Sequence, residues 1–336
     1  MAVTLRHVAE RAGVSRSAVS RTFTEGASVS PTTRAKVMEA AEALGYQPNA
    51  LASSLTTGRT KLIGLISNNF RNPLFLEVFD LFTRGLQDRG LRPLLVNLTD
   101  ETEPDASVRL LRQYNVDGCI VASSTLSPDF AKAFQDAGIP IVHAFGRFAT
   151  SPSVHVVGVD NVECGRMAAQ TLIDRGYRHL GFLGGPESAT TTQDRHEGFL
   201  QVIAAHPEVT QTTVFARNYA FDAGRDEMAK QLTSNRAEAY FCGDDVLSIG
   251  ALSAIQSAGL RVPDDIGLIG LNDMEMARWE NISLTTIRQP IPQIVDASIE
   301  LVTDMLENPT RFPEARLFPC TIIERSTLRP TDSSSG

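Results

Sequence analysis

The stretch "TLRHVAERAGVSRSAVSRTF", Thr4–Phe23, carries two helical patterns separated by a single glycine. Leu5, Val8, Ala9 and Ala12 recur at i, i+3, i+4 and i+7, which predicts a short helix ending at Gly13. Ser15 stands where an N-cap belongs, ahead of a second helix with Ala18, Val19 and Phe23 as its apolar stripe. With that stripe turned inward, Arg16, Ser17, Ser20 and Arg21 share the outer face. Downstream, Ser30–Pro31 reads as the N-cap and first-turn proline of a third helix. Its inward residues are Val37, Ala41 and Leu44, and it stops at Gly45. Three short helices, the first two joined by a tight glycine-containing turn, form a helix-turn-helix arrangement. Arginine can bridge guanine O6 and N7 in a major groove, and serine can bond phosphates or base edges. The free N–H groups at the start of the second helix favour a nearby phosphate. A merely solvated helix would also carry charges outward; the spacing of all three helices favours the DNA-reading alternative.

The charge distribution points the same way. Residues 1–61 hold eight Lys/Arg against four acids, a net +4, which leaves −12 for the rest of a chain whose total is −8. A small basic head on a large acidic body suits a head that meets a polyanion and a body that does not. At 336 residues the chain calls for more than one core. No apolar run approaches the roughly 18 residues of a membrane span. The amphipathic start "MAVTLRHVAERAG" lacks the apolar segment of a signal peptide, so a cytoplasmic protein without membrane attachment is expected. Cys119, Cys164, Cys242 and Cys320 form no CxxC pair. Buried free thiols are therefore expected rather than disulfides, and no metal site or cofactor.

Residues 45–61, "GYQPNALASSLTTGRTK", follow the head. Pro48 stops the preceding element, Asn49 can cap a short helix, and Leu51 and Leu55 share one face at i, i+4. Alone, so short and small-residue-rich a helix is unstable. It reads either as an interdomain linker or as a helix that pairs with its counterpart in a dimer and wedges a leucine into the minor groove.

"TLRHVAERAGVSRSAVSRTF", followed by "VSPTTRAKVMEAAEALGYQPNALASSL", resembles the N-terminus of lactose-repressor-type (LacI/GalR family) transcriptional regulators, nearly continuously from Thr4 to Leu55. The resemblance implies that Arg16, Ser17 and Arg21 read a double-stranded DNA operator, that Asn49 begins a hinge helix, and that Leu55 is the minor-groove wedge. Thr4 and Ser15 join the expected DNA-facing set. Thr24 is a departure, since many relatives carry Asn there.

From Leu62 onward, short apolar runs alternate with helical patterns: 62–67, 92–97, 118–123, 140–145 and 156–160, then again 179–185, 212–217, 239–244, 266–271 and 284–289. Two consecutive βα series predict an α/β body of two doubly wound parallel-sheet lobes. Ligands of such folds sit at the carboxyl ends of strands, here in a cleft between lobes. The same family resemblance continues through this half, and extends to periplasmic sugar-binding proteins of that architecture. It implies crossovers near residues 160–161 and 289–292. The expected domains are a helix-turn-helix head (1–47), a hinge and linker (48–60), a ligand-binding body (61–330) and a disordered tail (331–336). Within the body, one lobe comprises 61–160 with 291–320 and the other 161–290 with 321–330.

Polar groups at strand ends are the ligand-site candidates. Asp244 and Asn272 end two strands, although many relatives have Asn and Asp, respectively, at those positions. Arg147 and Asp160 follow strand ends of the first lobe and are placed to report cleft closure. By resemblance, Leu74, Phe75 and Thr191 occupy effector-contact positions, Arg195 the effector-clamping arginine, and Tyr219 an aromatic that stacks on the ligand. Phe75 and Tyr219 fit core packing equally well. Such a set suits a neutral polar small molecule such as a sugar. "GFLGGP" (181–186) lacks the phosphate-cradling GxGxxG pattern, and no nucleophile elbow or HExxH is present, so catalysis is not expected. The expected protein is a homodimeric repressor under effector control. The other reading is a solute-binding receptor without DNA regulation.

Overall fold

A computed structural model describes residues 3–24, 26–47, 54, 58–98, 104–126, 128–308 and 311–330. The chain folds as two compact units, Met1–Lys61 and Leu62–Gly336.

In the first unit the helices are α1 (Leu5–Ala12), α2 (Arg16–Thr22) and α3 (Pro31–Leu44). Gly13 and Gly45 close α1 and α3 in the left-handed region, φ 64° and 62°, which only glycine enters without strain. Ser15 Oγ accepts from Ala18 N–H at 3.2 Å, and Ser30 Oγ accepts from Thr33 N–H at 3.2 Å. These caps satisfy donors that a short helix leaves open. Val8, Ala9, Val19, Val37, Ala40 and Ala41 form the buried core, with Leu5, Ala12, Val14, Phe23, Leu44 and Tyr46 packed around it. The inner face of α2 differs from the expected stripe. Thr22 is buried while Ala18 is half-buried. The reason is that Thr22 Oγ1 donates to the Ala18 carbonyl at 2.8 Å, which lets the hydroxyl enter an apolar core already paired.

The second unit contains two six-stranded sheets. The first comprises β1 (Leu62–Ser67), β2 (Arg92–Asn97), β3 (Gly118–Ala122), β4 (Ile141–Ala144), β5 (His155–Gly158) and β11 (Ala315–Leu317), ordered β2-β1-β3-β4-β5-β11. The second comprises β6 (His179–Gly184), β7 (Thr210–Phe215), β8 (Ala239–Cys242), β9 (Gly267–Asn272), β10 (Thr286–Arg288) and β12 (Thr321–Ile323), ordered β7-β6-β8-β9-β10-β12. All pairings are parallel except β10 with β12, which is antiparallel. The central strands are buried along their length, as expected of sheets covered on both faces.

The chain passes between sheets three times. It leaves the first sheet after β5 and enters α7 (Asn161–Asp174), returns after β10 into α11 (Ile291–Glu307), and crosses once more between β11 and β12. The strands β11 and β12 are three residues each and were not among the ten expected. Helix α11 packs on the first sheet and on α4 (Leu74–Asp88). In the second lobe, α7 crosses α8 (Thr190–Ala204) at two glycines. A Cβ on Gly165 would meet the Arg195 carbonyl oxygen at 2.0 Å, and one on Gly198 would meet that of Val162 at 1.8 Å. Only glycine permits this approach, and it fixes where Arg195 emerges. The remaining helices are α5 (Pro104–Gln113), α6 (Pro128–Asp136), α9 (Phe221–Thr233) and α10 (Asp245–Ser257).

Candidate functional site

The head presents α2 as an exposed polar face. Arg16, Ser17 and Arg21 are exposed, whereas Ser20 is half-buried and its carbonyl accepts from Thr24 Oγ1 at 2.9 Å. Among the described residues neither Arg16 nor Arg21 has an ion pair, so both guanidiniums keep their donors free for an external acceptor. Ser17 Oγ lies 2.9 Å from Ser15 Oγ, which ties it to the cap. Thr4 caps α1, and its N–H donates to His7 Nδ1 at 3.2 Å. Arg34 is committed elsewhere: its Nη1 donates to the Thr22 carbonyl at 2.9 Å and so caps the end of α2. Asn49 and Leu55 lie outside the described residues.

In the body, the carboxyl ends of both sheets face one cleft. Leu74, Phe75, Phe145 and Val159 form an apolar wall from the first lobe, while Arg195, Asp244, Asn272 and Gln289 supply polar groups from the second. Ser124 and Asn161 complete the lining. Phe75 meets Phe145 edge to face at 6.2 Å, a favourable aromatic arrangement that stiffens the wall.

Asp244 is the hub of the polar side. Its Oδ2 accepts from Asn72 Nδ2 of the opposite lobe at 2.9 Å and from Asn272 Nδ2 at 2.9 Å. Its Oδ1 accepts from Val246 N–H at 2.8 Å, so the same residue caps α10. Asn272 Oδ1 in turn accepts from Gln289 Nε2 at 2.6 Å. Burial pushes the Asp244 carboxyl up, and its hydrogen bonds and the Arg195 charge work against that rise. Arg195 is buried; Nε donates to Asn161 Oδ1 at 2.8 Å and Nη1 to the Gly243 carbonyl at 2.6 Å.

Beside this hub lie two further carboxylates. Asp245 is fully buried and its pKa is raised to about 7, chiefly by burial, although Thr286 Oγ1 and Met274 N–H donate to it at 2.6 and 2.8 Å. Asp273 takes Arg325 at 2.5 Å, Arg288 at 2.6 Å and Arg278 at 3.2 Å. Burial alone would raise its carboxyl, but the hydrogen bonds from Arg325 and Arg288 outweigh it and hold Asp273 below the usual range. Its backbone is left-handed, φ 57°, and Asn272 before it has φ 125°. The three-arginine clamp holds this strained turn next to the cleft.

The lobes are latched at three points. Asn72 bonds Asp244; Thr191 Oγ1 donates to the Ser124 carbonyl at 2.7 Å; and Arg147 pairs with Asp194 at 2.6 Å. Burial lifts Asp194, and the Arg147 charge draws it back. The latched cleft leaves a cavity of about 20 Å³, on the order of one water's room. Any sugar-sized ligand therefore enters through an opened cleft.

Of the sequence-derived candidates, Leu74, Phe75, Arg195, Asp244 and Asn272 line this cleft, and Thr191 and Arg147 bridge the lobes beside it. Two lie elsewhere. Tyr219 packs on Gly185 in the second-lobe core, with its hydroxyl 2.7 Å from Thr192 Oγ1, so it forms no platform in the cleft. Asp160 accepts from Glu163 N–H at 3.1 Å and caps α7. Sequence reasoning missed Asn72, Ser124, Phe145, Val159, Asn161 and Gln289. All but Asn72 stand within three residues of a strand's carboxyl end, a signal that was available.

A helix-turn-helix head on a two-lobed body with a strand-end cleft defines a class: DNA-binding proteins with a periplasmic-binding-protein-like ligand domain. Family models match both parts, bacterial regulatory proteins of the lacI family over residues 4–49 and the periplasmic binding protein-like domain over residues 169–328. The HTH-type transcriptional repressor PurR of Yersinia enterocolitica is 31% identical over 335 residues, covering 97% of this chain and 96% of that protein. PurR of Yersinia pestis matches to the same extent, 31% identical over 335 residues. Among solved structures, a transcriptional regulator CelR–cellobiose complex superposes with TM-score 0.72 and 26% identity, covering 97% of this chain and 99% of that one. A lac repressor dimer bound to operator and the anti-inducer ONPF superposes with TM-score 0.86 at 23% identity, covering 97% and 99%. The chain belongs to the lacI family and is a DNA-binding transcriptional repressor of that family. No helix among the described residues is long and apolar enough to cross a membrane.

Proposed function

We propose that this repressor binds operator DNA as a homodimer and that a small polyhydroxylated effector, a sugar or sugar derivative, sets its operator affinity from the cleft between lobes. Arg16, Ser17, Ser20 and Arg21 read base edges and phosphates, Thr4 and Ser15 sit at the backbone, and residues 48–60 act as the hinge with Asn49 at its start and Leu55 as wedge. The body serves as the effector domain, with its lobes meeting at the crossovers.

The observation that carries the effector reading is the Asp244 hub. One buried carboxylate, an adjacent amide pair (Asn272, Gln289) and a buried arginine face a wall of Phe75 and Phe145. Carboxylate, amide and guanidinium together accept and donate to vicinal hydroxyls, and the aromatic wall covers a sugar's C–H face. Sugar binding in the CelR–cellobiose complex lends support. An effector acts by favouring one lobe arrangement over another, and it shifts operator affinity by no more than its differential affinity for the two. A thermal-shift panel of mono- and disaccharides, sugar acids and polyols, with nucleobases and nucleosides as the comparison set, tests the reading. A stabilising sugar that also changes operator retention in gel shift supports it, and a panel in which only nucleobases stabilise refutes the sugar assignment.

A further inference from the structure

Cys164 and Cys320 are 156 residues apart in sequence, yet the Cys164 thiol donates to Cys320 Sγ at 3.5 Å. Cys164 is fully buried in the first turn of α7. Cys320 is half-buried in the third crossover, two residues past Phe318, whose N–H bonds the Gly158 carbonyl, and one residue before β12 begins. The pair thus joins the segment just beyond the first crossover to the third crossover, two of the three strands on which the lobes hinge. We propose that Cys164 and Cys320 form a peroxide-sensitive dithiol site that closes to a disulfide across the lobe hinge.

The two thiols are unequal in a way that assigns their roles. The hydrogen bond from Cys164 and the positive charge of Arg195 hold the Cys320 thiol below its ordinary range, against burial and the opposing charge of Asp160. Cys164, as the donor, is raised. Cys119 and Cys242 are pushed up to about 12 by burial and have no thiol beside them. Cys320 is half-buried where Cys164 is fully buried, so Cys320 is the sulfur a peroxide can reach and acts as the nucleophile: its thiolate attacks a peroxide oxygen, the O–O bond breaks, hydroxide leaves and takes up the proton the thiol gave up, and Cys320 becomes a sulfenic acid. The Cys164 sulfur then attacks the Cys320 sulfur, its proton goes to the departing hydroxyl, and water leaves as the disulfide forms. Both sulfurs are oxidised by one electron each, and the peroxide is reduced to two molecules of water. The sulfurs must close from 3.5 Å to about 2 Å, and Cys320 lies in a segment held by neither a helix nor a strand.

The site also touches the cleft, a step that rests on the reading of Arg195 as an effector contact. Asn161, one turn before Cys164, holds Arg195 Nε, and Gly165, next to Cys164, packs on the Arg195 carbonyl. A disulfide would clamp the helical turn that positions Arg195.

The test uses the reduced full-length protein treated with hydrogen peroxide, then denatured, alkylated and digested. The expected result is a fall in titratable thiols from four to two and a peptide pair linking Cys164 to Cys320 lighter by about 2 Da than the reduced pair. Cys164→Ser is expected to leave Cys320 as sulfinic or sulfonic acid with no link, and Cys320→Ser to retain its remaining thiols. Four intact thiols, or an oxidised Cys320 without a link in the wild type, would overturn the proposal. Native amide exchange at 161–166 and 319–322 is expected to slow in the oxidised form, and unchanged exchange refutes the hinge clamp. None of these readouts involves an effector, so failure of the sugar assignment leaves them interpretable.

Discussion

Replacing Asp245 by asparagine is expected to remove a pH dependence from the stability of the body. Asp245 titrates near 3.8 in the unfolded chain and at about 7 in the fold, because burial penalises its charged form. A folded-state pKa raised above the unfolded value contributes stability that is fully present below about pH 4 and is lost as pH rises through about 7. Roughly three units at 1.36 kcal/mol each make this about 4 kcal/mol. Asparagine retains the geometry: its carbonyl oxygen accepts from Met274 N–H and its amide donates to Thr286 Oγ1, whose hydroxyl reverses its role. Asp244 and Asp273 each add to the rise of Asp245 through their charges, so the difference between the two profiles reports Asp245 together with its coupling to these neighbours. Urea unfolding from pH 4 to pH 8 should therefore show the variant gaining on the wild type by about 4 kcal/mol across that range. Parallel profiles would refute the argument that Asp245 is buried as an acid poised near neutrality.

Four further outcomes follow from the geometry. Arg195→Ala is expected to abolish effector stabilisation in thermal shift, and to cost about 1–3 kcal/mol of folding stability because Asn161 Oδ1 and the Gly243 carbonyl lose their donor; retained effector affinity would displace the site. Arg21→Ala should narrow the gap between operator and scrambled DNA by about 1–3 kcal/mol in competition gel shifts, and an unchanged footprint would remove α2 as the reading helix. Leu55→Ala should weaken operator binding more than non-specific binding, whereas equal losses would make residues 48–56 a plain linker. Trp279 is the sole tryptophan, about half exposed, and follows the turn that Asp245 anchors through Met274. Its emission should shift when an effector binds, and calorimetric binding without a spectral change would separate that turn from the cleft.

The head was legible because its core is local. Val8, Ala9, Val19 and Val37 repeat at helical spacing, and the caps Ser15 and Ser30 are fixed by one-turn hydrogen bonds. The inner face of α2 was less legible: Thr22 enters the core where Ala18 was expected, through a side-chain bond to the Ala18 carbonyl that composition does not announce. The long buried strands were equally plain, but β11 and β12 are three residues each, too short for any alternation to show. In the cleft, Asp244 and Asn272 could be read because they end strands. Tyr219 could not be placed, since its burial depends on Gly185 and on Thr192, neither of them a sequence neighbour. For the same reason Cys164 and Cys320 read as separate buried thiols, and only the third crossover brings them together.

The latches that close the cleft also limit what an effector can do. Each is a single hydrogen bond or ion pair: Asn72 to Asp244, Thr191 to the Ser124 carbonyl, Arg147 to Asp194. Neutral hydrogen bonds contribute about 0.5–1.5 kcal/mol net, and charged ones about 1.5–3. Together they hold the lobes by a few kcal/mol, enough to favour closure and little enough to be reversed by binding. Asp244 makes the competition direct, because its Oδ2 holds Asn72 and the same residue lines the cleft. A ligand hydroxyl that donates to Oδ2 must displace Asn72 or share the oxygen with it, so binding rewrites the latch rather than adding to it. Asn72→Ala removes the competitor while leaving Asp244 its bonds to Asn272 and Val246. It is therefore expected to tighten the effector and to loosen the closed lobes at once, the signature of one acceptor serving both.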